Sequence, residues 1–198
     1  MNDTRELLED RAEHYIRTGG FGSFSFRDLA QDLGIKSSSV HYHFSTKSDL
    51  GTAVTKRYTR RFEEALAYPK TSSLSPEEHI REYIMMFYTE MTQTQKMCLC
   101  AVLSVEKTTL SDEMNAATDA FYTLNLDWLT SVFLQVVNPK LTKVQAYQRA
   151  TQVLATLQGG LIGASARNDI EYYIFAARGL YKDIFSKELR FANIKPED

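Results

Sequence analysis

The residues best equipped for chemistry lie together in residues 34–50, which read GIKSSSVHYHFSTKSDL. Three consecutive serines, Ser37–Ser39, precede the apolar residue Val40, and two histidines and a tyrosine lie between Val40 and Phe44. On an α-helix, which turns by about 100° per residue, Val40 and Phe44 share one face and Tyr42 points away from them. One side of this segment is therefore predicted to anchor in a core, and the other presents hydroxyl groups and rings.

Neither metal binding nor hydrolysis fits this segment. His41 and His43 are two residues apart, so on a helix their side chains diverge by about 200°. Helical metal ligands instead recur at spacings of three or four residues. No strand–turn–nucleophile context accompanies the serines. We therefore expect no metal, no cofactor and no catalytic residue.

The residues before this segment predict a second short helix. Ser25 and Asp28 form an S-x-x-D capping box, which predicts a helix start at Phe26. Gly34 fits the residue just past a helix end. A short helix, a glycine-containing turn and another short helix make a helix-turn-helix, whose second helix presents the face that reads DNA.

Positive charge is concentrated in the same region. Residues 36–61 hold six cationic side chains against one acid, Asp49, whereas the whole chain carries a net charge of −2. Thr46 and Asp49 form another capping box, which places Lys47 in the first turn of the following helix. A helix N-terminus that carries a lysine suits a phosphate. An ordinary solvated basic face is the alternative, and the adjoining helix-turn-helix favours DNA.

Residues 5–66 resemble the DNA-binding domain of the TetR family of bacterial transcriptional regulators. The family pattern is matched in register by Gly20-Phe21, Leu29-Ala30, Gly34-Ile35, His43-Phe44, Lys47 and Leu50. Two positions depart from it, because His41 stands where the family most often has tyrosine and Phe24 where threonine is common.

The resemblance implies a role for each matching residue. Contacts with phosphates are expected for Ser25, Tyr42, His43 and Lys47, with His41 beside them on the outer face. Contacts with base edges are expected for Ser37, Ser38 and Ser39. Arg27 lies where family members can reach a guanine, the base that arginine most often contacts. An exposed ion pair with Asp28 or Asp32 is the alternative for Arg27, and plain packing is the alternative for His41 and Tyr42.

The remaining sequence predicts an all-α protein of two domains. The segment 67–79, AYPKTSSLSPEEH, breaks one helix and restarts another at Pro76. We expect a three-helix helix-turn-helix DNA-binding domain in residues 1–66 and a larger helical ligand-binding and dimerisation domain in residues 67–198. Five helices are predicted in the second domain, at about 76–95, 97–106, 112–137, 142–165 and 169–188.

Composition restricts the class of protein. No apolar run approaches the roughly 20 residues of a membrane-spanning helix. The charged residues 2–13 do not read as a signal peptide. Two cysteines in Cys98-Leu99-Cys100 cannot make a disulfide framework. We expect a soluble cytoplasmic protein.

In the family, the C-terminal part binds a small molecule, and this part of the chain offers aromatic and sulfur-containing candidates. The segments MCLCAVLSVE and FYTLNLDWLTSVF resemble a subgroup with a cysteine at the start of the second ligand-domain helix. The candidate pocket residues are Phe87, Tyr88, Met91, Met97, Cys98, Leu103, Phe121, Tyr122, Leu124 and Trp128. Ordinary core packing is the alternative for each of them, and a buried apolar thiol is the alternative to an electrophile-sensing Cys98 or Cys100.

Small and apolar residues also recur on the last two predicted helices. They favour a dimer of four helices, because a small-residue ridge lets another helix approach closely and a reader of two-fold DNA sites is dimeric. Packing within one subunit is the alternative. The residues predicted for the dimer interface are Ala155, Gly159, Gly163, Ile170, Tyr173, Ile174, Ala177 and Tyr181.

These features together predict a homodimeric regulator that binds a palindromic DNA operator. We expect a repressor that a small apolar or aromatic effector releases from DNA. A DNA-binding architectural or division-control protein of the same fold, without an inducer, is the alternative. No catalytic constellation favours an enzyme.

Overall fold

The structure, a computed structural model, describes residues 4–66 and 68–191. Within these ranges the chain is all-α, as predicted, with one isolated antiparallel bridge between Val137 and Lys140. None of the described helices combines the length and the apolarity that crossing a lipid bilayer demands. The helices are α1 (Thr4–Gly19), α2 (Phe26–Asp32), α3 (Ser37–His43), α4 (Lys47–Ala65), α5 (Pro76–Thr94), α6 (Leu99–Val105), α7 (Asp112–Phe133), α8 (Lys143–Arg167) and α9 (Glu171–Phe185).

Helix ends follow the signals in the sequence. Capping boxes confirm the predicted starts of α2, α4, α5 and α8. In each box the N-cap side chain accepts a hydrogen bond from the backbone N–H three residues later, and the side chain of that later residue accepts one from the N-cap backbone N–H. Gly34 ends the α2 segment with φ of 63°, a left-handed conformation that glycine adopts without steric cost. The last helix is shorter than predicted because Ser186, at its C-cap, turns left-handed with φ of 54°.

The chain divides into two compact units. The first joins Met1–Ala65 with Lys96–Leu124, and the second joins Leu66–Gln95 with Asn125–Asp198. Residues 96–124, predicted to lie in the second domain, therefore belong to the same unit as the helix-turn-helix, in which α6 packs on α1 and α4. Residues 1–3, Ala67 at the predicted boundary and residues 192–198 lie outside the described residues.

In the first unit, α1 and α4 form the core around the helix-turn-helix. Both contribute side chains with no solvent exposure, at Leu8, Ala12 and Ile16 from α1 and at Leu50 and Val54 from α4. The segment before α6 is attached by Arg17, whose Nε donates a 2.7 Å hydrogen bond to the carbonyl of Met97. This bond and the buried face of α6 explain why residues 96–124 join the first unit.

In the second unit, α8 and α9 pack against α5. The α5 face is apolar and buried at Ile80, Tyr83, Ile84 and Phe87. Tyr173 of α9 is fully buried, and its hydroxyl donates a 2.8 Å hydrogen bond to the carbonyl of Ile84. Tertiary packing of these amphipathic faces, rather than helix propensity, is what stabilises helices of this length.

Candidate nucleic-acid interface

The recognition helix α3 has the two-faced character that its sequence predicts. Val40 is fully buried and Phe44, just past the helix, is 3% exposed. On the opposite face, Tyr42 is 85% exposed, which is unusual for a large aromatic side chain. Its ring is held edge-on by His43, with 5.2 Å between ring centroids. The geometry confirms an anchored helix with an outward aromatic and hydroxyl surface.

The other predicted contact residues of α3 lie around Tyr42. Ser37 and Ser38 are exposed, and Ser39 is half-buried. The exposed His41 ring packs edge-on against Phe26 of α2 at 5.0 Å, which fixes the imidazole beside the reading face. All of these polar groups can therefore reach a partner without rearrangement of the core.

Two helix N-termini flank α3. Ser25 caps α2 and accepts from the backbone N–H of Asp28, while Thr46 caps α4 and accepts from the N–H of Asp49 at 3.1 Å. Backbone N–H groups at a helix N-terminus carry partial positive charge and form sites for phosphate oxygens. Capped starts of this kind hold the first turn rigid for such a contact.

Lys47, the first residue of α4, lies in an aromatic setting that no sequence motif indicates. Its ammonium group is 4.5 Å from the centroid of the Phe21 ring and 4.3 Å from that of Phe24. Burial lowers the pKa of Lys47, and attraction to Glu106 opposes that shift. The two rings limit the positions of the ammonium group, because cation–π attraction favours its place over their faces. Phe24, which departs from the family pattern, thus orients Lys47.

Arg27 is exposed, and the acids that were its alternative partners are engaged elsewhere. Asp28 accepts from Ser25 in the cap of α2. Asp32 accepts from Arg11 Nε at 2.6 Å and from the Tyr15 hydroxyl at 2.7 Å. These bonds hold the pKa of Asp32 below its usual value. Hydrogen bonds from Ser25 lower the pKa of Asp28, and the charge of the exposed Arg27 on the α2 surface contributes to that shift.

The basic segment 36–61 is less available for phosphate contact than its composition predicts. Arg57 is 13% exposed and forms ion pairs with Glu9, Asp10 and Glu13 of α1. Arg61 also pairs with Glu13, at 2.6 Å. These two guanidinium groups bind α4 to α1, so part of the positive charge of residues 36–61 is neutralised within the first unit. A sequence count could not detect this, because the neutralising acids lie more than forty residues earlier.

One cationic residue beside α3 was overlooked in the sequence. The guanidinium of Arg5, in the first turn of α1, lies 4.5 Å from the centroid of the Phe44 ring. Its side chain is 48% exposed and also pairs with Glu9. An arginine in the first turn of α1 carries no motif, so only the tertiary contact places it next to the end of the recognition helix.

The ten predicted pocket residues fall into both units. In the first unit, Phe121 packs against Tyr58 and Phe62 in the core, while Leu103 and Tyr122 line a small pocket of about 130 Å³. The rest of this group comprises Cys98, which is buried, and Met97 and Leu124, which are half-buried.

The remaining four lie in the second unit. Trp128 stacks on Tyr83 at 5.3 Å, and Tyr83 in turn contacts Phe87 and donates a 2.6 Å hydrogen bond to Asn125. Tyr88 packs against Phe191 at 4.8 Å, and Met91 lines a cleft of about 430 Å³. The second unit therefore contains a cluster that we call the buried aromatic cluster and define as His79, Tyr83, Phe87, Asn125 and Trp128. The first four side chains are buried, and Trp128 is half-buried.

The residues predicted for the dimer interface differ in exposure. Ala155 and Gly159 are exposed on α8, and Gly163 and Ile170 are half-buried. Four others are core residues of the subunit, namely Tyr173, Ile174, Ala177 and Tyr181. Their apolar face packs inside the second unit, where a Cβ at Gly160 would meet the Tyr173 ring at 3.2 Å. Helical periodicity identifies a buried face without telling which molecule covers it.

The cysteines and the metal-binding residue types do not assemble a site. Cys98 and Cys100 are both free and buried, and burial raises the pKa of the Cys100 thiol well above its ordinary value. A raised pKa disfavours the reactive thiolate. Among the described residues, no group of three or more His, Cys, Asp or Glu side chains is placed to hold a metal ion.

Comparisons with known proteins match the N-terminal segment of the sequence and the fold of most of the chain. Residues 8–54 match the family model described as bacterial regulatory proteins, tetR family. A TetR transcriptional regulator from Legionella pneumophila is 27% identical, with a TM-score of 0.85 over 92% of this chain and 98% of that one. A TetR-family regulator from Agrobacterium tumefaciens is 28% identical, with a TM-score of 0.83 over 90% of this chain and 96% of that one.

More distant structures share the fold. The reduced form of NemR from E. coli is 19% identical, with a TM-score of 0.79 over 90% of this chain and 95% of that one. A comparison with curated protein sequences found no match.

Proposed function

Because this chain belongs to the TetR family of DNA-binding transcriptional regulators, we propose that it is a homodimeric repressor that releases its operator when a small molecule binds. The observation that carries the DNA-binding part is the exposed face of α3. Tyr42, Ser37 and Ser38 project from a helix whose other side is anchored by Val40 and Phe44. A helix of this kind, with capped N-termini on either side, fits the major groove while the flanking N–H groups meet phosphates.

Phosphate and base contacts can be tested separately. A duplex is first selected by the wild-type protein from a random library, and its affinity is measured over a range of salt concentrations. Lys47→Ala is expected to weaken binding to every duplex and to lower the salt slope by about one, because a phosphate contact carries no sequence information. Ser38→Ala is expected to change the preference among duplexes instead.

Lys143→Ala supplies the matched control, since Lys143 is an exposed lysine in the first turn of α8. It is expected to bind like the wild type. A Lys47→Ala protein with unchanged affinity and salt slope would contradict the phosphate role of Lys47.

We place the dimer interface on the exposed side of α8 and α9. Large apolar side chains remain exposed there, at Ile162 (47%), Tyr172 (46%) and Phe175 (57%), beside the exposed Gly159. Exposed apolar side chains grouped on two helices mark a surface for association. A second copy of the chain would cover them with the same face, as a two-fold interface requires.

Gly159→Leu tests this surface. Apart from its chain neighbours and the nearby backbone of α8, no atom lies within 4 Å of where a Cβ at residue 159 would stand, so the subunit should fold normally. The larger side chain is expected to overpack the interface and shift sedimentation toward the monomer. Ala116→Leu, at an exposed position of α7, is the control. A fully dimeric Gly159→Leu protein would move the interface elsewhere.

For the effector, we propose a largely apolar or aromatic molecule with one or two polar groups. The buried aromatic cluster offers ring faces together with an amide and an imidazole, and no cationic side chain belongs to it. Apolar pockets with a few polar groups are typical of small-molecule sites.

Trp128 is the only tryptophan and belongs to this cluster, so its emission reports on the site. A panel of planar aromatic compounds and of polyanions is titrated while Trp128 emission and operator release are followed together. Release by aromatic compounds with a parallel change in emission is the expected result. Release by polyanions, or without any change in emission, would contradict the proposal, and a protein that no compound releases would fit the DNA-binding alternative without an inducer.

A further inference from the structure

The carboxylate of Glu106 lies against the backbone of Gly20 and Phe21, a pair to which the motif assigned no role. Glu106 is the C-cap residue of α6, and its Oε2 accepts a 2.9 Å hydrogen bond from the Phe21 N–H. Its Oε1 occupies the space where a Cβ at residue 20 would stand. Gly20 also has φ of 88°, a conformation that favours glycine. The backbone conformation therefore restricts residue 20 to glycine, and any Cβ there would also displace the Glu106 carboxylate.

Phe21 connects this contact to α4. The edge of its ring is 2.8 Å from where a Cβ at Gly51 would stand, so the ring packs directly on the α4 backbone. The same ring and that of Phe24 lie beside the Lys47 ammonium group. The Glu106 carboxylate at the end of α6 thus fixes the turn at Phe21, and the Phe21 ring orients Lys47, the first residue of α4.

We propose that Glu106 is a positioning residue for DNA binding. Residues 20–24 lead directly into Ser25, the N-cap of α2, and carry the two rings beside Lys47. By holding the Phe21 N–H, Glu106 sets both the start of α2 and the place of the Lys47 side chain. Without this acceptor, the backbone N–H of the half-buried Phe21 loses its partner and the turn relaxes to regain one. The inference rests on the proposed DNA-binding function.

Variants at residue 106 separate positioning from phosphate contact. Glu106→Ala is expected to weaken operator binding by about tenfold, the equivalent of one lost hydrogen bond to a charged group. The salt slope should fall by less than it does in Lys47→Ala, because Lys47 keeps its charge in Glu106→Ala and loses only its fixed position beside the two rings. Glu106→Gln should bind within about threefold of the wild type, since its amide oxygen still accepts from Phe21. Glu113→Ala, at an exposed acid of α7, is the control.

A double-mutant cycle with Gly20→Ala tests the contact itself. In the wild type, the new methyl group collides with the carboxylate and also strains the backbone, whereas in Glu106→Ala only the strain remains. Gly20→Ala should therefore cost less affinity in the Glu106→Ala background. Glu106→Asp withdraws the acceptor while keeping the charge, and it provides the same test should Glu106→Ala fail to fold.

Three results would overturn the role of Glu106. The first is that Glu106→Ala and Glu106→Asp bind the operator within about twofold of the wild type. The second is that Glu106→Gln and Glu106→Ala lose the same affinity. The third is that the effects of Gly20→Ala and Glu106→Ala on operator affinity are strictly additive. If the wild-type protein selects no duplex at all, the DNA-binding function fails and the inference fails with it.

Discussion

Replacing Glu13 should destabilise the first unit far more than replacing an exposed acid in an ion pair. The Glu13 side chain is 9% exposed, and its carboxylate pairs with Arg17 at 3.3 Å, Arg57 at 3.3 Å and Arg61 at 2.6 Å. Arg17 is 5% exposed, so its guanidinium cannot turn to water when the carboxylate is removed. The loss therefore leaves positive charge in a desolvated place, which is the costly case.

The magnitude follows from the partners that remain. Removing one member of a buried ion pair typically costs about 3–5 kcal/mol. Arg17 keeps the carbonyl of Met97, and Arg57 keeps Glu9 and Asp10, so Glu13→Ala should fall at the low end, at about 3 kcal/mol. Glu13→Gln retains acceptor atoms and should cost roughly half of that.

Glu64→Ala is the matched control for the assay. Glu64 pairs with Arg60 at 3.8 Å, and both side chains are 67% exposed, so its loss should change the free energy of unfolding by less than about 0.5 kcal/mol. Urea unfolding followed by helical circular dichroism gives the free energies of the wild type and the three variants. If Glu13→Ala and Glu64→Ala destabilise equally, the buried ion pairs contribute no net stability and the reasoning is refuted.

Three further predictions concern other sites. Burial lowers the pKa of His79 below 6.5, so the unfolded chain takes up this proton at a higher pH than the folded chain does. The free energy of unfolding should therefore fall as the pH drops below 6.5, and His79→Phe should reduce this pH dependence. Ser75→Ala should cost about 1 kcal/mol of unfolding free energy and leave duplex affinity unchanged, whereas Ser25→Ala should lower both, because only Ser25 caps a helix at the proposed interface. Gly163→Ala should destabilise the subunit in thermal unfolding while Gly159→Ala does not, since only the former meets a ring, that of Tyr172; equal midpoints would contradict the packing described here.

The helices and the recognition face were accessible from sequence because their signals are local. Capping boxes act over three residues, and the anchoring of Val40 and Phe44 with Tyr42 opposite is a property of one helix. The resemblance of residues 5–66 to the TetR family adds the order of these elements. The assignments of Ser37, Ser38 and Lys47 to DNA contacts stay predictions, placed by the structure on or beside the reading face.

The partners of the charged residues and of the apolar helix faces could be identified only from the tertiary structure. Counting cations could not show that Arg57 and Arg61 are neutralised by acids of α1. Periodicity could not show that Tyr173 and Ile174 are buried inside one subunit, whereas Phe175, the next residue on α9, faces outward. A pattern in sequence reports that a group is charged or apolar, and the partner that satisfies it lies elsewhere in the chain.

The sequence by itself determined an all-α chain, its helix starts and the outward face of α3, because each depends on residues within one or two turns. Only the tertiary structure decided which cations form ion pairs with α1, which apolar side chains stay exposed, and that Glu106 holds the turn before α2. Glu106 and Phe21 are separated by 85 positions. A contact between residues so far apart in the sequence forms only when the whole unit folds. Folding brings the donor and the acceptor together and removes them from water, which makes their hydrogen bond matter for stability.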